Sequence, residues 1–340
     1  MIRTLVLVFQ LLVAMVFAVV GRVARRVFSG PAVPGWGWDV ELKAVALRSF
    51  IMSAATHPDP LARAKLEGKL DPPLPSRLRG AMRFEHDTVA EVPVERHIRN
   101  GSGTELTDTS TILYFHGGGY LAGSPATHRR FVANLTWAVG GSAIVPDYRL
   151  APANPFPAAV DDAVAVYRAL VAAGTDPDRI VIAGDSAGGG LSLATLLRLR
   201  DDGDPLPAGA IVFSPYADLE HTGNSIYRNI ATDYLPLLHP IRPLHEYLGD
   251  HDPKDPYASP MYGDYTGIPP LLVFAGGREM ILDDSVRLAA KAQSDGCAVT
   301  LHIADDMYHV WPALLPNHAE TLKLLAMSRE WVSSRVGAAK

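Results

Sequence analysis

The sequence predicts an α/β fold: a mostly parallel sheet covered by helices on both faces. Three observations carry this expectation. From about residue 110 onward, short apolar runs alternate with stretches of helical periodicity, the rhythm of β–α–β units. The short runs are apolar nearly throughout rather than at every second position, as strands buried on both faces must be. Four of them end in chemically capable residues, YFHGGG, IAGDSAGG, FAGGREM and LHIADDMYHVW. In such a sheet ligands gather at the carboxyl ends of the strands.

The elements follow in order. The leader TLVLVFQLLVAMVFAVVG, Thr4 to Gly21, carries no charge and has apolar residues on every side of a helix. It just reaches the length of a membrane span. Arg22, Arg25 and Arg26 follow it, which by the positive-inside tendency places the main body on the cytoplasmic side. A cleaved signal peptide ending near Gly21 and a helix docked on the body or on a second subunit are the other readings. Residues 1–29 are thus a hydrophobic N-terminal segment. GPAVPGWG, Gly30 to Gly37, is a linker by composition. WDVELKAVALRSFIMSAA then reads as a helix entered at Asp39. A Pro-rich irregular stretch runs from His57 to Leu78.

Beyond residue 80, MRFEHDTVAEVPVERHIRN alternates as a strand pair. TILYF, GSAIVP, RIVIAG, GAIVF, PPLLVF and CAVTLHIA are strands; PAAVDDAVAVYRALVAA, LSLATLLRLR, DSVRLAAKAQ and NHAETLKLLAMSREWVSS are helices. The stretch from about Asp218 to Tyr262, rich in Pro, His and Tyr, breaks the alternation and reads as an insertion over the sheet's edge.

Composition narrows the function classes. The chain has 340 residues, 48% of them hydrophobic, enough to bury a large core. A net charge of -5 argues against nucleic acid as a partner. The single cysteine, Cys297, excludes an internal disulfide framework and a cysteine-based metal cluster, and reads as a buried structural thiol.

Chemistry points to acyl transfer. Gly184-Asp185-Ser186-Ala187-Gly188 matches G-x-S-x-G between a predicted strand and a predicted helix. There a serine sits on a sharp turn with its hydroxyl pushed out over the sheet, and the Ala187 N–H joins an oxyanion hole at the positive end of the following helix. No Gly-Lys-Ser/Thr follows, so a Walker-type phosphate loop is excluded. His116-Gly117-Gly118-Gly119 closes the strand TILYF and leaves backbone N–H groups open to a developing oxyanion. His116 itself reads as structural. His309, just after the last strand, is the candidate base; His302, within that strand, reads as structural. For the acid, Glu279 comes soonest after the strand PPLLVF. Asp283 is the second candidate, although it and Asp284 look like first-turn helix residues.

These motifs resemble the hormone-sensitive-lipase-like (bacterial family IV type) esterases of the α/β-hydrolase fold. The carrying residues are HGGGY at 116–120, PDYRLAP at 146–152, FPAAVDDA at 156–163, GDSAGGG at 184–190, DPYASP at 255–260 and YHVW at 308–311. The resemblance runs from about residue 80 to the C-terminus. It implies a Ser186–His309–acid triad, an oxyanion hole from Gly117, Gly118, Gly119 and Ala187, and no cofactor or metal. It also implies a helical cap from residues 30–80 and the insertion at 218–262, on a catalytic domain of residues 81–340. Short- to medium-chain acyl esters are the implied substrates. The sequence departs from the family where Asp-Pro-Leu usually stands, reading Glu279-Met280-Ile281 instead, which keeps Asp283 in view. Trp36, Trp38, Phe50, Met52, Tyr227, Tyr234 and Tyr247 are candidates for an acyl pocket or for packing the cap. A lipase, a lactone hydrolase and a non-turnover receptor on the same fold are the alternatives, and a homodimer is a further expectation.

Overall fold

A computed structural model describes residues 2–55, 73–100, 110–235 and 245–336. Its centre is one eight-stranded sheet in the order β1-β2-β4-β3-β5-β6-β7-β8. The strands are β1 (Met82–Val89), β2 (Val92–Arg99), β3 (Thr111–Phe115), β4 (Ser142–Pro146), β5 (Ile180–Asp185), β6 (Gly209–Phe213), β7 (Leu271–Gly276) and β8 (Val299–Ala304). The β1/β2 and β2/β4 pairs are antiparallel, and β3 through β8 run parallel.

Alternation explains why the parallel strands are apolar at every position. On β3, Ile112 and Tyr114 join the core beneath one face, while Leu113 and Phe115 join the core on the other. One core is closed by α3 (Pro125–Val139) and α9 (Ala319–Ser333), through residues such as Phe131, Leu135, Leu324 and Trp331. The other is closed by α4 (Ala158–Ala172), α5 (Ala187–Asp201) and α7 (Leu282–Ser294), through Val160, Leu191 and Leu288. Both sheet faces are therefore out of water, as the continuous apolar runs predicted.

The chain leaves β3 toward β4 and then returns to set β5 on the other side of β3. That reversal opens a crevice at the carboxyl ends of β3 and β5, where the HGGG and G-x-S-x-G segments lie. Helix α3 is absent from the sequence expectations. Its start signal is short: Ser124 caps it, accepting from the Thr127 N–H, with Thr127 reciprocating and Pro125 at the first position. A threonine in place of the usual Glu or Gln hides the box from a pattern search.

The N-terminal segment forms α1 (Ile2–Ser29), followed by α2 (Trp38–Ala55), and the short helices α6 (Ser225–Arg228) and α8 (Trp311–Leu314) lie in the connections after β6 and β8. Glu41 of α2 is buried, accepts from the Ala32 N–H at 2.9 Å, and is gripped by Arg22 and Arg26 of α1. Two arginines satisfy that carboxylate, which would be costly to bury alone. Among the described residues no helix is long and apolar enough to cross a membrane. The Pro-rich run falls largely outside the described residues, as do residues 236–244 of the insertion. Cys297 is buried and its thiol is pushed up to about 11 by burial, in keeping with a structural role.

Candidate active site

Ser186 stands between β5 and α5, at the N-cap of the helix, with φ 52° and ψ -122°. A left-handed conformation costs a non-glycine residue of order 1–3 kcal/mol and persists only where the surroundings over-determine it. Here the Ser186 N–H donates to the Phe213 carbonyl at 2.9 Å, and the Ser186 carbonyl accepts from Tyr216 N–H at 2.9 Å. The turn packs so tightly that a Cβ at Gly188 would lie 2.0 Å from the Phe115 carbonyl oxygen. The spacing of the motif thus has a steric cause.

His309 comes from the loop after β8. Its Nε2 lies 2.9 Å from Ser186 Oγ. Its Nδ1 lies 3.4 Å from Glu279 Oε2, inside ion-pair range but longer than a formed hydrogen bond. Both Glu279 oxygens and His309 Nδ1 lack another hydrogen-bond partner among the described residues. A closure of about half an ångström completes the contact, and catalytic hydrogen bonds are often long before substrate binds. Glu279 is fully buried on the loop after β7.

Asp283, the second candidate acid, is not brought to His309. Its Oδ2 accepts from Ser225 N–H at 3.0 Å and its Oδ1 pairs with Arg228 at 3.2 Å. Asp284 instead accepts from the N–H groups of Ala217 and Asp218, both at 3.0 Å. Both stand in the first turn of α7, as the sequence indicated.

Burial by itself opposes a proton on His309, but the nearby carboxylates of Glu279, Asp233 and Asp185 outweigh it and raise the pKa above the ordinary 6.5. A base works deprotonated. Hydrolytic rate is therefore expected to fall as pH drops through a value above about 6.5. A pH–kcat/KM profile checks this, and an acid limb well below 6 would contradict it.

The glycine loop is held from below by Asp185, the residue between Gly184 and Ser186. Asp185 Oδ1 accepts from Tyr114 Oη at 2.6 Å and from Gly117 N–H at 3.1 Å, and Oδ2 faces His128 Nε2 at 3.4 Å. Burial would raise its pKa, yet His128 and Tyr114 hold it below the usual carboxylate value. Gly117, expected among the oxyanion donors, is thereby corrected: its N–H is already engaged by a carboxylate. No protein acceptor is found for the N–H groups of Gly118, Gly119 and Ala187 among the described residues. Gly118 takes φ 129°, and a Cβ there would meet the Ala122 carbonyl oxygen at 2.1 Å.

His116 is buried and stacks on Tyr148 at 4.3 Å, with Nδ1 2.9 Å from the Gly117 carbonyl. Burial and the neighbouring His128 lower its pKa to about 3, so it stays neutral, as a structural residue should. His302 packs edge-on against Phe274 and faces Glu320, away from the crevice.

The aromatic candidates divide. Tyr234 lies 6.0 Å from the His309 ring, Trp36 packs edge-on against Tyr308 at 5.7 Å, and Tyr247 stacks on Tyr120 at 3.9 Å. Phe50 and Met52 are half-buried. Tyr227, 70% exposed, and Trp38, 46% exposed with Arg26 over its ring, do not wall an enclosed pocket. Two residues of the site have no signature in the sequence. Asp185 stands at the variable position of its motif, where no residue type is required. Asp233, buried beside Glu279 and His309, comes from the insertion, where no periodic pattern marks it.

Comparison with known proteins places this fold among hydrolases. Residues 112–313 match the family model described as alpha/beta hydrolase fold. An acetyl-hydrolase of Streptomyces hygroscopicus is 46% identical over 205 residues, spanning 60% of this chain and 69% of that protein. An esterase of Acinetobacter venetianus is 36% identical over 232 residues, 68% of this chain and 77% of its own. Among solved structures, an esterase from the bacterial hormone-sensitive lipase family superposes with a TM-score of 0.78 at 38% identity, covering 87% of this chain and 98% of the other. An esterase soaked with p-nitrophenyl butyrate has the same score at 39% identity, covering 87% and 99%.

Proposed function

The chain belongs to the hormone-sensitive-lipase-like esterases of the α/β hydrolase fold, and from that premise we propose that it is a serine carboxylesterase acting on short- to medium-chain acyl esters. The observation that carries the reading is the 2.9 Å contact between Ser186 Oγ and His309 Nε2 at the crevice of the sheet. Ser186 Oγ attacks the ester carbonyl while His309 takes its proton. Glu279, facing Nδ1, holds the imidazole in the required tautomer and offsets the charge of the imidazolium. The oxyanion lies against the N–H groups of Gly118, Gly119 and Ala187, with the first turn of α5 adding its dipole. His309 then protonates the leaving alcohol, an acyl-serine remains, and water attacks it with the same histidine as base. The route uses no cofactor. Residues 30–80 and 218–262 act as the cap over the catalytic domain of residues 81–340.

The name of one relative, acetyl-hydrolase, supports a small acyl group, and that of the other, esterase, supports an ester substrate. The test is hydrolysis of p-nitrophenyl butyrate, paired with labelling by a fluorophosphonate and mass mapping of the modified peptide. Turnover with a single label on Ser186 is expected. A folded protein that neither turns over nor labels would favour a binding role. A rate that jumps once substrate forms droplets would make the enzyme a lipase.

Membrane association has a specific observation behind it as well. The face of α1 turned away from α2 exposes Val13, Val16, Phe17, Val20, Val27 and Phe28, with Phe17 72% and Phe28 88% exposed. These positions recur at helical spacing, and the uncharged run back to Thr4 continues the segment. We propose that this face lies on a lipid surface, with the exposed Arg25 suited to an anionic cytoplasmic leaflet. Fractionation should leave the protein in the membrane pellet after a high-salt wash and release it in detergent. Release by salt alone, or a soluble homodimer closed through this face, would overturn the membrane seat.

A further inference from the structure

One turn of the insertion between β6 and β7 grips both triad loops. Residues Asn229 to Asp233 lie along the loop that carries Glu279. Asn229 Nδ2 donates to the carbonyls of Gly277 at 3.2 Å and Glu279 at 2.9 Å. Thr232 Oγ1 donates to the Arg278 carbonyl at 3.2 Å. Asp233 Oδ2 accepts the Met280 N–H at 2.7 Å, directly behind the acid. Its other oxygen, Oδ1, accepts the N–H of Tyr234 at 2.7 Å and that of His309 itself at 3.3 Å. One carboxylate thus ties the backbone of the residue after the acid to the backbone of the base. The same turn is held from the N-terminal side, where Arg48 of α2 donates to the carbonyls of Ile230 and Asp233.

We propose that Asp233 is a positioning residue for the triad: its buried carboxylate sets the separation of Glu279 and His309 and adds a second negative charge beside the imidazole. This rests on the esterase reading of the Ser186 site and goes beyond it.

Three N–H groups occupy the two oxygens, so an asparagine of the same shape cannot replace Asp233. Its amide nitrogen would point a donor at a donor, at Met280 or at His309. The 3.4 Å gap between His309 Nδ1 and Glu279 leaves little tolerance, since a displacement of about 1 Å can cost ~100-fold in rate. The charge matters separately. The ionisable groups facing the pair are Glu279 and His309 on the two loops, Tyr234 and Tyr308 beside them, Asp185 beneath the serine, and Arg48, which reaches the backbone of the turn. Burial, with Glu279 beside it, raises the Asp233 pKa to about 6, while His309 and the donated N–H groups pull the other way. Below that pH one oxygen takes a proton and the grip on the loops weakens.

The experiment compares Asp233→Asn and Asp233→Glu with the wild-type full chain. Rates on p-nitrophenyl butyrate are normalised to active sites titrated with a fluorophosphonate, so misfolded protein does not count. For Asp233→Asn, kcat is expected to fall about 100-fold with KM little changed, and the acid limb of the pH profile should move to lower pH as the histidine loses a negative neighbour. Asp233→Glu keeps the charge but misplaces it, so kcat should fall while the limb stays near the wild-type position. Wild-type kcat per titrated site in Asp233→Asn, or a lowered kcat with an unmoved limb, would overturn the proposal. Either result leaves the esterase reading intact, because that reading fails only if the wild-type enzyme neither turns over nor labels at Ser186.

Discussion

Ser186→Ala is expected to lower kcat/KM on p-nitrophenyl butyrate by roughly 10⁵- to 10⁶-fold, with the folded structure unchanged. The size follows from the route. Without Oγ there is no acyl-enzyme, and His309 has no proton to take. What survives is the oxyanion site, which can still polarise a bound ester toward water and supplies a residual ~10³- to 10⁴-fold over the uncatalysed reaction. Among the described residues the hydroxyl bonds to His309 alone, and it is the backbone N–H and carbonyl that hold the turn. An alanine has the same left-handed strain to bear, so the thermal midpoint should move little. Stopped-assay rates with far-ultraviolet circular dichroism check both halves. A mutant within tenfold of wild type would remove Ser186 as the nucleophile.

Glu279→Ala is expected to cost about 10⁴-fold in kcat, and Asp283→Ala less than about tenfold. The Glu279 carboxylate faces Nδ1 of the base and has no other partner among the described residues, so its loss frees the imidazole to rotate or take the wrong tautomer. Asp283 ties α7 to the insertion through Ser225 and Arg228. Removing it loosens that contact and costs stability of about 1.5–3 kcal/mol, in the range of a lost hydrogen bond to a charged group, rather than chemistry. Glu279→Asp is the informative companion. The shorter carboxylate restores the family's usual residue, but on a loop set for the longer one, so partial recovery is expected. The reverse order of Glu279→Ala and Asp283→Ala would transfer the acid's role to Asp283.

Both predictions use residues visible in the amino-acid order alone. The apolar runs that end in HGGG, GDSAG and REM, and the run before YHVW, imply a parallel sheet because only strands buried on both faces are apolar throughout. The nucleophile and glycine loop are recognisable because their chemistry demands small residues at fixed spacing: a Cβ at Gly188 or Gly118 would collide with a carbonyl oxygen. Glu279 was distinguishable by its distance along the chain from the end of β7, while Asp283 carried the marks of a first-turn helix residue. Such local requirements are written in the chain itself.

What only the tertiary structure decided are the partnerships between distant segments. Gly117 belongs to the right motif, yet its N–H is engaged by Asp185, a contact across neighbouring strands that no spacing rule reveals. Asp233 lies in an irregular insertion and acquires its role only because β7 and β8 are adjacent and bring their loops beneath it. The uncharged N-terminal run predicted a helix, but the clamp of Arg22 and Arg26 on buried Glu41, which fastens that helix to α2, needed the fold. The physical reason is the same in each case. Backbone geometry and burial act on neighbours in sequence, whereas a buried carboxylate is satisfied by whichever donors the packed chain brings to it.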